Sequence, residues 1–205
     1  MDTELEDFEE KRANSNIPDE GTIREYYDLR KQLQRFGDDV QAVMSHPEHC
    51  LSYITPGRLV HIKHKGVDFG WGIVVNWKHR KPPKNPNEDF TDHQKHVVDV
   101  LLNIADGDSV GTKSFEDFPS GVRPPKEDEK SHMDVVPLVL SCIHSIAHVC
   151  IRLPKDLNSK DSRNNMKNTL GEVKRRFPDG LAPLDPIENM GIKDEEFKKT
   201  LRVRI

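Results

Sequence analysis

Apolar residues along the first part of the 205-residue chain recur at Tyr26, Leu29, Leu33, Phe36, Val40 and Val43, in alternating steps of three and four. This period predicts a helix with a narrow apolar stripe, the pattern of a coiled-coil seam rather than of a helix buried all round. Thr22 and Glu25 have the spacing of a capping box, Gly37 weakens the middle, and Pro47 predicts the end. The period then changes. Pro56 to Trp77 reads PGRLVHIKHKGVDFGWGIVVNW, two apolar runs around a glycine-containing turn. Leu59, Val60 and Ile62 precede the turn, and Ile73, Val74 and Val75 follow it, which predicts an antiparallel hairpin bent by glycines into the start of a small barrel.

The alternation continues in Lys95–Asn103, with Val98, Val100 and Leu102 expected inward and Val97, Asp99 and Leu101 outward. Met133–Leu140 and His148–Leu153 supply two further strands, with Ser141–Ala147 expected as a turn or one helical turn between them. A short helix is expected over Ser162–Arg176, followed by a turn at Phe177–Gly180. The proline-rich stretches 79–92 and 105–131 are expected as exposed insertions. Phe197 and Leu201 mark a second helix over 194–203, the candidate antiparallel partner of the first. The predicted fold is α+β: a β-barrel with helical insertions on a partial antiparallel helical stalk. Its divisions are residues 1–21 as a tail or truncated stalk segment with at most a short helix near Leu5–Arg12, 22–50 as the stalk helix, 51–190 as the barrel and 191–205 as the returning helix.

Composition alters this picture in one respect. Hydrophobic residues make up 34% and charged residues 32%, lean for a self-contained globule, so part of the chain should be solvated arm or loop. The net charge of −4 conceals a split. Acidic side chains crowd residues 1–45, whereas Arg58, Lys63, Lys65, Lys78, Arg80, Lys81 and Lys84 oppose the single Asp68 over 58–84. A second basic group, Lys160, Arg163, Lys167, Lys174, Arg175 and Arg176, follows. Two basic groups favour contact with nucleic-acid phosphates over plain solvation. Phe69, Trp71 and Trp77 offer rings for either the core or a binding surface, and alternation leaves their assignment open. Cys50, Cys142 and Cys150 form no disulfide framework, which suggests a reducing compartment. No apolar run is long enough to span a membrane, and the acidic N-terminus does not read as a signal peptide.

Reactive chemistry finds little footing. His46, His49 and Cys50 supply only half a zinc site. Ser141, Cys142 and His144 are adjacent without the relay a triad needs. There is no phosphate-binding loop of the Gly-x-x-x-x-Gly-Lys-Ser/Thr type. No catalytic residue, metal or cofactor is expected.

The series PGRLV from Pro56, FGWGIVV from Phe69, PKDL from Pro154, RFPDG from Arg176 and LDP from Leu184 occurs in one order. It resembles the arch, a stalk plus a KOW barrel, of the DExH-box RNA helicase that serves the nuclear RNA exosome, and covers about residues 22–203. The resemblance implies a non-catalytic module of an ATP-dependent helicase, in the nucleoplasm and nucleolus, acting in RNA processing, surveillance and decay. It implies structured RNA and the exosome as partners. The basic groups read above supply the candidate RNA contacts, Arg58, Lys63, Lys65, Lys78, Arg80, Lys81, Lys174 and Arg175. It also implies docking of adaptor proteins through arch-interacting motifs, short peptides with an apolar or aromatic residue near an acidic one. The implied peptide site uses Asp99, Leu101 and Val149. The family's arginine falls on Cys150, and Arg152 is the substitute anion contact two residues on. An RNA-binding barrel without peptide docking, or a spacer, are the alternatives.

Overall fold

The computed structural model describes residues 19–80, 95–107 and 118–193, together with 195 and 198. Most of the expected helix over 194–203, the short helix near Leu5–Arg12, most of the 79–92 insertion and Lys81 lie outside the described residues. The chain divides into two compact units between Asp39 and Val40.

Helix α1, Glu20–Met44, begins two residues ahead of the expected cap, so Thr22 lies inside its first turn. Glu20 accepts an ion pair from Arg24 at 2.9 Å, one turn on, where a carboxylate also suits the helix dipole. Within the first unit, Ile23, Tyr26, Tyr27, Leu29 and Leu33 are each more than half exposed. The N-terminal half of the seam read from the sequence, Tyr26, Leu29 and Leu33, is therefore an uncovered stripe among the described residues. In the second unit, Val40 is buried, and a short helix α2, Pro47–Cys50, follows with Pro47 in its first turn.

Five strands follow: β1 Arg58–His64, β2 Val67–His79, β3 His96–Ala105, β4 Ser131–Val139 and β5 Ile143–Cys150. They form an antiparallel sheet in the order β4-β3-β2-β1-β5. β2 makes the curve. Its first half pairs with β1 through Ile73, and its second half pairs with β3 from Ile73 to His79. Bulges at Ile62/Lys63 and between Val74 and Asn76 bend the ribbon. Gly72 is required at this bend because a Cβ would lie 2.5 Å from both the Leu102 and Val100 side chains.

The strand expected over His148–Leu153 starts at Ile143 and stops at Cys150, and a 3-10 turn, Leu140–Cys142, replaces the longer expected connection. The polar His144 and Ser145 obscured the alternation of this edge strand. The second helix, α3, spans Lys160–Arg176.

The sheet buries both faces. Val60, Ile62, Val74, Val98, Val100 and Leu102 fill the inner core, which Cys50, Ile54, Leu184 and Ile192 help close. On the other face, Met166, Leu170 and Val173 of α3 cover Leu59, Ile73, Leu101, Met133 and Ala147. The helical residues stand at i, i+4 and i+7, one stripe of α3. Full burial of each such side chain is worth about 1.5–3 kcal/mol. Ile73 and Val75 share one face and Val74 the other, as the alternation predicted.

Candidate partner-binding site

Asp99 lies on β3 directly opposite Asn76 of β2 and Pro137 of β4. Directly opposed residues share a face, here the face that α3 covers further along. The Asp99 carboxylate is mostly buried, and Lys78 Nζ, itself well exposed, approaches it at 3.2 Å. Val75, Val149 and Ile151 are half-buried on the same face, at the margin of the outer apolar cluster.

The ladder fixes how these groups line up. Gly57 N–H donates to the Val74 carbonyl at 2.8 Å, and Ile151 N–H donates to the Gly57 carbonyl at 2.8 Å. Val74 in turn pairs with Val100. Asp99 and the Val149–Ile151 segment therefore occupy neighbouring rows, three strand intervals apart, about 14 Å measured along the sheet. Gly57 makes the approach possible: at φ +88° a Cβ would lie 2.0 Å from the Ile151 carbonyl oxygen.

The expected peptide-site residues separate in this geometry. Asp99 and Val149 share a face. Leu101, expected outward, is fully buried under α3 and offers nothing to a partner in this fold. Alternation had placed it correctly on the face opposite Val100, but that face is helix-covered. Cys150 is exposed and pairs with Arg58, its thiol 3.7 Å from the Pro56 carbonyl. Alternation turns Cys150 away from Val149. Arg152 is exposed and lies beyond the end of β5, so it does not share a strand face with Cys150 as expected.

The candidate RNA cations also disperse. Arg58 is half-buried, with its guanidinium donating to the carbonyls of Tyr53 at 3.2 Å and His148 at 2.9 Å. It braces the main chain where an outward cation was expected. Lys63 and Lys65 sit at the β1–β2 turn, with Lys63 3.8 Å from Asp68. Lys78 and Arg80 stand at the far end of β2, eleven residues along the bent strand from Val67. The basic residues that look clustered in sequence thus occupy opposite ends of one long strand. Of the second basic group, Arg163 bonds Asp134 at 2.7 Å and Lys167 bonds Ser131 at 2.7 Å, and both pin α3 to β4. Lys174 and Arg175 are exposed in its last turn.

The rings divide between core and margin. Phe69 is buried in the inner core and Trp77 packs against it, while Trp71 packs on the outer cluster and meets His61 edge-on at 5.1 Å. Burial pushes the Cys50 thiol up to about 12, and its sulfur faces the Ser45 carbonyl at 3.6 Å. His46 and His49 stand beside one another with ring centres 5.7 Å apart. Among the described residues no three His, Cys, Asp or Glu side chains converge as a metal site.

Residues 46–204 match the family model described as "Mtr4-like, beta-barrel domain", and residues 1–45 match "Exosome RNA helicase MTR4-like, stalk". The chain belongs to the Mtr4-like exosome RNA helicase family. It is 37% identical over 202 residues to "ATP-dependent RNA helicase mtr4" of Schizosaccharomyces pombe, a match covering 98% of this chain and 18% of that protein. It is 37% identical over 198 residues to "Exosome RNA helicase MTR4" of Homo sapiens, covering 97% of this chain and 18% of the relative. A plant relative, "DExH-box ATP-dependent RNA helicase DExH10" of Arabidopsis thaliana, is 31% identical over 194 residues, 93% of this chain and 18% of its own length. The chain therefore corresponds to the stalk and barrel region of these Mtr4-like helicases, less than a fifth of the length of each.

Proposed function

We propose that this chain is a non-catalytic recruitment module of a nuclear, exosome-associated RNA helicase. In this reading, residues 22–50 form the stalk helix, 51–190 the docking barrel and 191–205 the returning arm. The barrel docks short adaptor peptides on the face that carries Asp99 and Val149. The observation that carries this is their arrangement: a carboxylate–lysine pair and a group of half-buried aliphatic side chains, Val75, Val149 and Ile151, on one face at the margin of the cluster that α3 caps. Aliphatic side chains left half-buried at a cluster margin can gain by covering with a partner's apolar residue. The Asp99–Lys78 pair supplies a polar edge, and exposed Arg152 at the strand end is the cation for an acidic peptide residue.

Structured RNA is a second partner, met by cations at separate points on the module: exposed Lys78 and half-buried Arg80 at the end of β2, and exposed Lys174 and Arg175 on α3. Such contacts recognise phosphate and shape rather than base sequence.

Calorimetric titration of the 205-residue chain with an adaptor peptide carrying an aromatic residue near an aspartate tests the docking site. Val149→Glu, Asp99→Lys and Arg152→Glu should each weaken binding at least about tenfold. Unchanged affinity in all three would remove the site from this face. RNA affinity should fall steeply with salt, and Lys174→Glu with Arg175→Glu should lower that slope while leaving the peptide isotherm unchanged.

A further inference from the structure

A cavity of about 310 Å³ opens at the β1–β2 turn, lined by His64, Lys65, Val67, Phe69 and the Phe118–Arg123 segment. Its walls are mainly apolar. Phe69, Phe118 and Val122 belong to the inner core, and Val67 beside them is 44% exposed. Among the described lining residues there are two cations, Lys65 and Arg123, and no carboxylate. Arg123 is committed to Glu129, with Nη1 donating to Oε2 at 2.7 Å. Lys65 makes no ion pair among the described residues.

The backbone at Lys65 supports a role beyond turn formation. Lys65 has φ +47° and Gly66 φ +80°, a two-residue turn with both residues left-handed. Asn, Asp or Gly normally occupies the first position, since other side chains are strained there. A lysine at this position places a flexible cation at the mouth of an apolar cavity.

From these features we infer a second docking site, for an extended protein segment that inserts an apolar or aromatic side chain and sets a neighbouring carboxylate against Lys65. A protein segment suits the walls better than an RNA base does. Phe69 and Phe118 are both more than nine-tenths buried, and His64 stacks on Phe118 with ring centres 5.2 Å apart, so no open ring face is left for stacking. One unpaired cation fits one carboxylate, whereas an RNA backbone would call for several. The site is independent of the Asp99–Val149 reading, because it uses the opposite end of β2 and the margin of the inner core.

The test is a heteronuclear NMR titration of the 205-residue chain with the hexapeptide Gly-Ser-Phe-Glu-Gly-Ser. Saturable shifts are expected at Lys65, Val67, Ser120 and Val122. Val67→Glu, at a position 44% exposed, should weaken binding about tenfold or more. Lys65→Glu, or replacing the peptide's Glu by Gln, should weaken it about threefold to tenfold. Val67→Ser, which introduces no charge, should also weaken it. Several outcomes overturn the inference: shifts confined to the surroundings of Asp99 and Val149, no saturable shifts, or wild-type affinity in both Val67 variants. So do shifts at Lys65 and Val67 that hexauridylate produces and the peptide does not, or binding that appears only once residues 108–117 are replaced by a Gly/Ser linker. Loss of the Asp99–Val149 docking by Val149→Glu, with these shifts intact, shows the two sites to be separate.

Discussion

Arg163 of α3 donates to the Asp134 carboxylate of β4 across 2.7 Å, and the same oxygen accepts the N–H of Val135. This charged contact sits beside the apolar stripe of Met166, Leu170 and Val173, so it fixes the rotation of the helix on the sheet. Arg163→Ala should cost about 1–2 kcal/mol, in the range of a partly exposed charge-assisted hydrogen bond. Leu170→Ala should cost about 2–4 kcal/mol because it leaves a void over Ile73 and Leu101. Urea denaturation of the two variants checks the order: the apolar truncation should be the larger loss.

Three glycines should respond differently to one methyl group. Gly57→Ala places a Cβ 2.0 Å from the Ile151 carbonyl at a positive φ, so β1 and β5 must separate, and the loss should exceed about 3 kcal/mol. Gly72→Ala meets the Leu102 and Val100 side chains at 2.5 Å and should cost about 1–3 kcal/mol as they move. Gly70→Ala has φ +74° and open space around it, so about 1 kcal/mol of backbone strain is the whole effect. Denaturation midpoints of the three variants should follow that order.

Thiol chemistry should distinguish the three cysteines. Cys150 is exposed, whereas Cys50 and Cys142 are buried and burial holds the Cys50 thiol protonated, up to about 12. Since the thiolate is the nucleophile, Cys150 should react first with an aromatic disulfide reagent at neutral pH. Cys150→Ser should abolish the fast phase, and urea should restore two slow equivalents. Mass spectrometry of the modified peptides reads the sites directly.

Acid should weaken the barrel through His61. Burial lowers its pKa below the ordinary value of 6.5, against the opposing pull of Asp68 at 3.1 Å, with Lys63 adding to the lowering. The folded state therefore holds its proton less tightly than the unfolded state. The resulting stability is present above the unfolded pKa and is lost as pH falls through the lower folded value. Between pH 7.5 and 5 the wild type should lose stability more steeply than His61→Gln, as followed by urea midpoints. Equal slopes would show that His61 is not the group responsible.

The hairpin was legible because its information is local: two apolar runs, a glycine turn and a period of two. The stripe on α1 was legible for the same reason. Leu101 shows where such reading stops. Alternation puts it opposite Val100, yet whether that face meets water depends on α3, whose Leu170 arrives from 69 positions further along. Arg58 reads as a surface cation until the carbonyls of Tyr53 and His148 are brought around it. Ile143–Ala147 reads as a turn because an edge strand can present His144 outward without loss of pairing.

By itself the sequence determined the elements that local physics governs: the α1 stripe, the glycine-bent hairpin, the β3 alternation and the ordered motifs that place the chain in its family. Tertiary structure alone decided which side chains remain available to partners. Lys63 and Lys78 were parted by a 13-residue strand, Leu101 was sealed beneath α3, and Asp99 and Val149 were brought onto one face across three strands. Backbone preference is a property of neighbours in the chain, whereas exposure is set by whatever distant segment packs on top.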